Sequence, residues 1–114
     1  MVDTPDARKV VLIISSDRGL RESVDKIVAR AKCRAIAASD CTAAERSIER
    51  VLPVLILIDP LRHDELSARV RAMCAVVEIP VRSSGSGVRR LAKPRTEAVR
   101  WLTELVAERC ASGQ

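Results

Sequence analysis

The carboxylate best suited to chemistry is Asp59, because it follows the apolar run Leu55-Ile56-Leu57-Ile58 directly. Ligands of open α/β sheets bind outside the carboxyl ends of the strands, so an acid delivered there by a buried strand is the leading functional candidate. Close by is His63, the only histidine. One histidine without a paired nucleophile or a second ligand supports neither triad nor metal chemistry, and it reads as a loop residue. Cys33, Cys41, Cys74 and Cys110 are scattered without a CxxC pair. The start of the chain lacks the basic and apolar regions of an export signal, so these cysteines are expected to be reduced thiols filling small spaces in a cytoplasmic protein. No catalytic residue, metal site or cofactor is expected, and the chain is not read as an enzyme.

Elements that could position Asp59 are legible on both sides of it. Lys9 to Ile14 is a β-branched and leucine run of the kind found in strands buried on both faces of a parallel sheet. Leu20, Val24, Ile27, Val28 and Ala31 then recur at helical spacing, with Arg18 and Glu22, and Arg21 and Asp25, paired at i,i+4. A short strand follows over Arg34 to Ala38, and Thr42 with Glu45 forms a capping box for a helix that ends before Pro53. The strand Val54 to Ile58 leads to Asp59. Beyond it Asp64 can cap a helix with Leu66, Val70, Met73 and Val77 inside. Ile79 to Arg82 reads as a short strand, Ser83 to Gly87 as a loop, Arg89 to Lys93 as a last strand, and Val99, Leu102, Leu105 and Val106 mark a final helix.

Strands alternating with helices predict an α/β fold, a parallel sheet covered on both faces. Residues 79–94 admit two geometries. The gap is too short for an ordinary crossover helix, although about eight extended residues at ~3.3 Å each could cross a short strand in parallel. The other geometry is an antiparallel hairpin.

In this layout the chain resembles the receiver domain of bacterial two-component response regulators, with SSDRGLRESV, LILID and the pair Lys93-Pro94 carrying the likeness. The resemblance implies a flavodoxin-like, five-stranded parallel sheet flanked by about four helices, with the fourth helix missing or replaced by a loop. It implies that Asp59 stands at the phosphoacceptor position. Ser15 and Ser16 then take the places of the two acids that hold Mg²⁺, and Lys93 takes the place of the site lysine. Ser83 or Ser84 is the hydroxyl residue ending the fourth strand, and Arg90 replaces the signalling aromatic. Asp17, next to the serines, falls where the first helix is capped. Two serines offer Mg²⁺ neither charge nor carboxylate geometry. Without that electrostatic clamp, phosphoryl transfer to Asp59 is disfavoured. The reading is a degenerate pseudo-receiver, in which Asp59 occupies a vestigial phosphoacceptor position and is expected to pair with Lys93.

Bulk properties limit the function classes. The 114 residues make one domain, 1–114, with flexible ends at 1–8 and 111–114. A composition of 47% hydrophobic and 31% charged residues can fill a core and solvate a surface. The sole aromatic, Trp101, leaves no stacking platform for single-stranded nucleic acid. The longest apolar run, Val51 to Ile58, falls far short of the ~20 residues that span a bilayer. The net charge of +5 is concentrated in residues 82–100, which hold six basic residues against Glu97.

These features predict a stand-alone signalling protein that works by protein–protein contact, its partner a kinase or a transcription regulator. A phosphorylatable response regulator using Asp59 and a basic nucleic-acid-binding module are the alternatives. The interaction face is assigned to Arg89, Arg90, Trp101, Leu102 and Leu105. Loss of a covering helix there predicts exposed apolar sheet surface and hence a homodimer or a docked partner.

Overall fold

A computed structural model describes residues 9–83, 89–93 and 95–111. In chain order the elements are β1 (Val10–Ile14), α1 (Arg18–Arg30), β2 (Arg34–Ala38), α2 (Cys41–Arg50) and β3 (Leu55–Ile58). A 3₁₀ helix (Pro60–Glu65), α3 (Ala68–Met73), β4 (Val76–Glu78), β5 (Val81–Ser83), β6 (Arg89–Leu91) and α4 (Arg95–Ala111) follow. The first four strands form one parallel sheet in the order β2-β1-β3-β4. Every residue of β1 and β3 is buried, as expected of unbroken apolar strands with both faces covered.

Alternation along those central strands divides the core into two layers. Val11, Ile13, Leu55 and Leu57 face α1 and α4, meeting Leu20, Val24, Ile27, Leu102 and Val106. Leu12, Ile14, Ile56 and Ile58 face the opposite way, meeting Ala44 and Ile48 of α2 together with Leu66 and Val70. Period-two alternation in the strands and helical spacing in their covers therefore produce three layers from mostly aliphatic residues.

Each connection leaving the carboxyl edge of the sheet is fixed by a side-chain cap. Asp17 accepts from the Leu20 amide, Asp40 from Ala43, Asp59 from Leu61 and Ser67 from Val70. These caps satisfy amides that the first helical turn leaves without partners. The cap of α2 is thus Asp40 and not the expected Thr42, and Asp64 lies inside the 3₁₀ helix while Ser67 opens α3. At the other end of α1, Lys32 adopts a φ of 62°. Its amide donates to Ala29 and that of Cys33 to Val28, a Schellman closure in which a left-handed residue ends the helix.

Two expectations about the strands need correction. Ile79 to Arg82, expected as one strand, straddles two, since β4 ends at Glu78 and β5 begins at Val81, while Val77, expected on the helix, belongs to β4. Ile79 still donates to Ile58 O at 2.8 Å, but Pro80 has no N–H to continue the ladder. The five-stranded parallel sheet is replaced by four parallel strands and a separate antiparallel hairpin of β5 and β6, extended by Ala92 N–H to Pro80 O. Of the two geometries open to this segment, the hairpin is the one formed, with Val81 opposite Leu91 and Ser83 opposite Arg89.

The cysteines differ as well. Cys33 and Cys110 form a disulfide joining the end of α1 to the end of α4, while Cys41 and Cys74 are free and buried. Burial pushes both free thiols above their ordinary pKa, and for Cys41 the neighbouring Glu65 and Glu45 add to the effect. Spacing along the chain carried no sign of the Cys33–Cys110 pair, because the two residues meet only after α4 packs on α1. No helix among the described residues is long and apolar enough to cross a membrane. Residues 1–8 and 112–114, expected as flexible ends, lie outside the described residues, whereas Ala111 is the last residue of α4.

Candidate functional site

The ends of β1 and β3 bring Ser15 and Asp59 together. Asp59 N–H donates to Ile14 O at 2.8 Å and Ser15 N–H to Ala38 O at 3.0 Å, so sheet register alone fixes both backbones. Both residues are fully buried. The Ser15 hydroxyl donates to Asp59 Oδ2 at 3.1 Å and accepts from the Asp17 amide at 3.1 Å.

The cation at this site is Arg89, the first residue of β6. Its Nε lies 2.9 Å from Asp59 Oδ1 and 2.8 Å from Oδ2, and its Nη2 lies 2.6 Å from Oδ1. The Leu61 amide donates to the same Oδ1 at 3.0 Å. An ionised carboxylate offers about four acceptor positions, and here a guanidinium fork, a hydroxyl and an amide take them up. Burial, the largest single influence, raises the Asp59 pKa. The hydrogen bonds from Arg89, Leu61 and Ser15 and the Arg89 charge together outweigh it, and the net shift is downward.

Arg89 is held from a second direction. Its backbone N–H donates to Asp17 Oδ2 at 3.1 Å, while Asp17 Oδ1 accepts from Leu20 at 3.0 Å. The Leu20 amide and then the Arg89 amide pull the Asp17 pKa below its ordinary value. Asp17 therefore joins the start of α1 to β6, and β6 carries the arginine that closes over Asp59. Arg21 completes the surround by donating from Nη1 to Ser15 O at 2.7 Å.

Several expected site residues lie elsewhere. Lys93 is exposed and is not the partner of Asp59; Arg89 lies nearer in the fold because the hairpin folds back over the end of β3. Ser16 is exposed. Ser83 ends β5, while Ser84 and Pro94 lie outside the described residues. His63 belongs to the 3₁₀ helix, where its Nδ1 meets Glu78 Oε2. On the expected interaction face Arg90 is exposed and Trp101 is 46% exposed, but Leu102 is fully buried and Leu105 packs against the core. The α4 periodicity turns those leucines inward, and the sheet surface expected to be bare is covered by α4 and by Leu91 of β6.

A Mg²⁺ ion, which the receiver likeness implies, does not fit this donor set. Ser15 and Ser16 are neutral, the oxygens of Asp17 face backbone amides, and those of Asp59 face Arg89. Arg89, expected on the interaction face, instead turns onto Asp59 with only 15% of its side chain exposed. Its role depends on the hairpin, which places the first residue of β6 above Asp59. In comparisons with protein-family models, curated proteins and solved structures, the chain has no significant match.

Proposed function

We propose that this chain is a receiver-like signalling module that acts by binding another protein and does not use phosphorylation of Asp59. The observation that carries this reading is the Asp59–Arg89 pair, a fully buried carboxylate gripped by a guanidinium with only 15% of its side chain exposed. An aspartate that accepts a phosphoryl group needs a free oxygen and cations to offset the charge of the donor. Here the chain's own arginine supplies the cation and covers the oxygens. The strand order β2-β1-β3-β4 matches the first four strands of flavodoxin-like sheets. It supports the receiver likeness, with the hairpin in place of a fifth parallel strand.

Binding falls to the face carrying β6 and the start of α4. Lys93 and Arg100 are exposed there beside Trp101, which borders a small cleft with Pro80, Ala92, Lys93, Glu97 and Ala98. A half-exposed tryptophan flanked by Lys93 and Arg100 suits a protein partner that presents acidic and apolar side chains, because Trp and Arg are the usual anchors of interfaces. A kinase or a transcription regulator with such a segment fits.

The test is incubation with acetyl phosphate and Mg²⁺ followed by intact-mass measurement. The expected result is no acyl phosphate on the wild type. Labelling that disappears in Asp59→Asn would assign the chain to the phosphorylatable regulators instead.

A further inference from the structure

A second concave site lies beside the Asp59 pair, between the first turn of α1 and the β6–α4 segment. It has a volume of about 270 Å³ and is lined by Asp17, Gly19, Leu20, Ser23, Leu91 and the arginines 89, 90 and 95. Its charge is not balanced from within. Arg89 is engaged by Asp59, and the Asp17 oxygens are engaged by backbone amides. Arg90 and Arg95 are exposed, and neither has an ionic partner among the described residues.

The hairpin adds to the imbalance. Arg82 and Arg90 are directly opposite one another across β5 and β6, and like charges in that relation oppose pairing. The Arg82 Nε is also buried without a hydrogen-bond partner among the described residues. A two-stranded ribbon with cross-strand arginines is therefore short of an anion on one side.

From this geometry we infer that the cleft binds a small phosphate monoester. Two guanidinium forks suit the several oxygens of a phosphoryl group, which carries nearly two charges near neutral pH. Leu20 and Leu91, both almost fully buried, give the cleft an apolar floor for an organic body. Gly19 keeps one wall low, since a Cβ there would come within 3.3 Å of Asp17 Oδ1. The volume is just under the ~300 Å³ at which ligand pockets usually begin, so the ligand is small. This site is separate from the partner face around Trp101 and does not depend on the signalling reading.

Amide NMR spectra recorded during titration with glycerol 3-phosphate, adenosine 5′-monophosphate, inorganic phosphate and succinate test the inference. The monoesters are expected to shift Gly19, Leu20, Ser23 and Leu91. Inorganic phosphate shifts the same amides more weakly, and succinate binds about tenfold less tightly or not at all, because two separated carboxylates engage the forks less well. In Arg90→Glu/Arg95→Glu the monoester affinity falls at least about tenfold, equivalent to losing one charge-assisted hydrogen bond. Lys26→Glu/Arg50→Glu, which changes the net charge equally outside the cleft, leaves the affinity unchanged. Well-dispersed spectra establish that both variants are folded, and Arg95→Gln gives a milder check. Absence of localised shifts, succinate binding as tight as that of the monoesters, or an equal loss in the Lys26/Arg50 variant would overturn it.

Discussion

The parallel sheet and the β5–β6 hairpin are held by different means. In the sheet, β1 and β3 are enclosed on both faces, and every ladder step adds buried aliphatic surface. The hairpin has three-residue strands, and an isolated two-stranded ribbon is marginal in water. What holds it is tertiary: Leu91 inserted in the core, Arg89 on Asp59, and the Arg89 amide on Asp17. Distributed apolar packing makes the sheet insensitive to any one polar contact, whereas the hairpin rests on a few specific anchors. Its dependence on the site is the reason that the chemistry of Asp59 and the position of the basic surface are linked.

Breaking the pair at one end should have the largest effect. Arg89→Ala leaves Asp59 buried and unpaired, a change that costs about 3–5 kcal/mol in other buried pairs. Leu57→Ala, a core truncation in the sheet, is expected to cost about 2–5 kcal/mol. The comparison predicts that the two variants differ in kind. Hydrogen exchange should speed up first at β6 in Arg89→Ala and uniformly in Leu57→Ala. Arg89→Met/Asp59→Leu should recover most of the lost stability, because removing both charges leaves no uncompensated ion. Denaturant unfolding and amide exchange measure these effects. If Arg89→Ala were as stable as the wild type, the hairpin would be held by Leu91 alone.

A second intervention acts on α4, which lies between the two regions. The Cys33–Cys110 disulfide, separated by 77 residues, closes a loop that leaves out β1 and α1. Cross-links over loops of this length usually contribute about 2–4 kcal/mol by restricting the unfolded chain. Cys33→Ser should lower stability by that amount, as should reduction of the wild type, and reduction of Cys33→Ser should add nothing. Thermal unfolding with and without dithiothreitol tests this. Equal melting of oxidised and reduced wild type would mean that packing of Leu102 and Val106 holds α4 without help.

The contrast between regions also explains what the sequence could disclose. Leu55 to Ile58 and Val10 to Ile14 are unbroken apolar strands, and the spacing of Leu20, Val24, Ile27 and Val28 marks the helix that covers them, so local pattern was enough to place Asp59 at the sheet edge. The capping position of Asp17 was expected from the receiver likeness and not from local pattern. No local pattern identifies Arg89 as the partner of Asp59, because that pairing spans 30 residues and depends on the direction in which Val81 to Leu91 reverses. Lys93, adjacent to Pro94, was the more conspicuous cation. Ser15 could be placed beside Asp59 only through the β1–β3 register. Cys33 and Cys110, like Leu102, were misjudged because their surroundings are created by packing of α4.

Acid provides a gentler test of the same anchors. Asp59 and Asp17 both have folded-state pKa values below their ordinary values. Their contributions are therefore fully present above the unfolded-state value of about 3.9 and are lost as the pH falls through the lower folded values. Stability should be flat from neutral pH to about 5 and decline below 4. Asn caps a helix as well as Asp does but carries no charge, so Asp17→Asn should keep α1 intact and give a shallower decline. Urea midpoints at neutral pH and at pH ~3 supply the measurement. Identical slopes in the two proteins would mean that the Asp17 charge does not secure β6.

The smallest effect on stability is expected at Trp101, where the hairpin side of the molecule meets solvent. Its side chain is 46% exposed and borders a cleft of about 210 Å³. Truncation to Ala should cost the fold about 1 kcal/mol or less, as for most surface substitutions. What it can alter is association. A stable dimer buries on the order of 1,200–2,000 Å², and with both faces of the sheet covered and Leu102 in the core, one tryptophan supplies little of that area. A two-fold contact through this face would also bring the basic side chains Lys93 and Arg100 of one copy toward the same basic surface of the other, a like-charge arrangement that opposes pairing. Light scattering after size exclusion should therefore give a monomer at high micromolar concentration for both wild type and Trp101→Ala. An acidic, apolar partner should lose affinity on the Trp101→Ala change while the fold remains intact. A wild-type dimer dispersed by Trp101→Ala would reverse this assignment and make a second copy of the chain the occupant of the face.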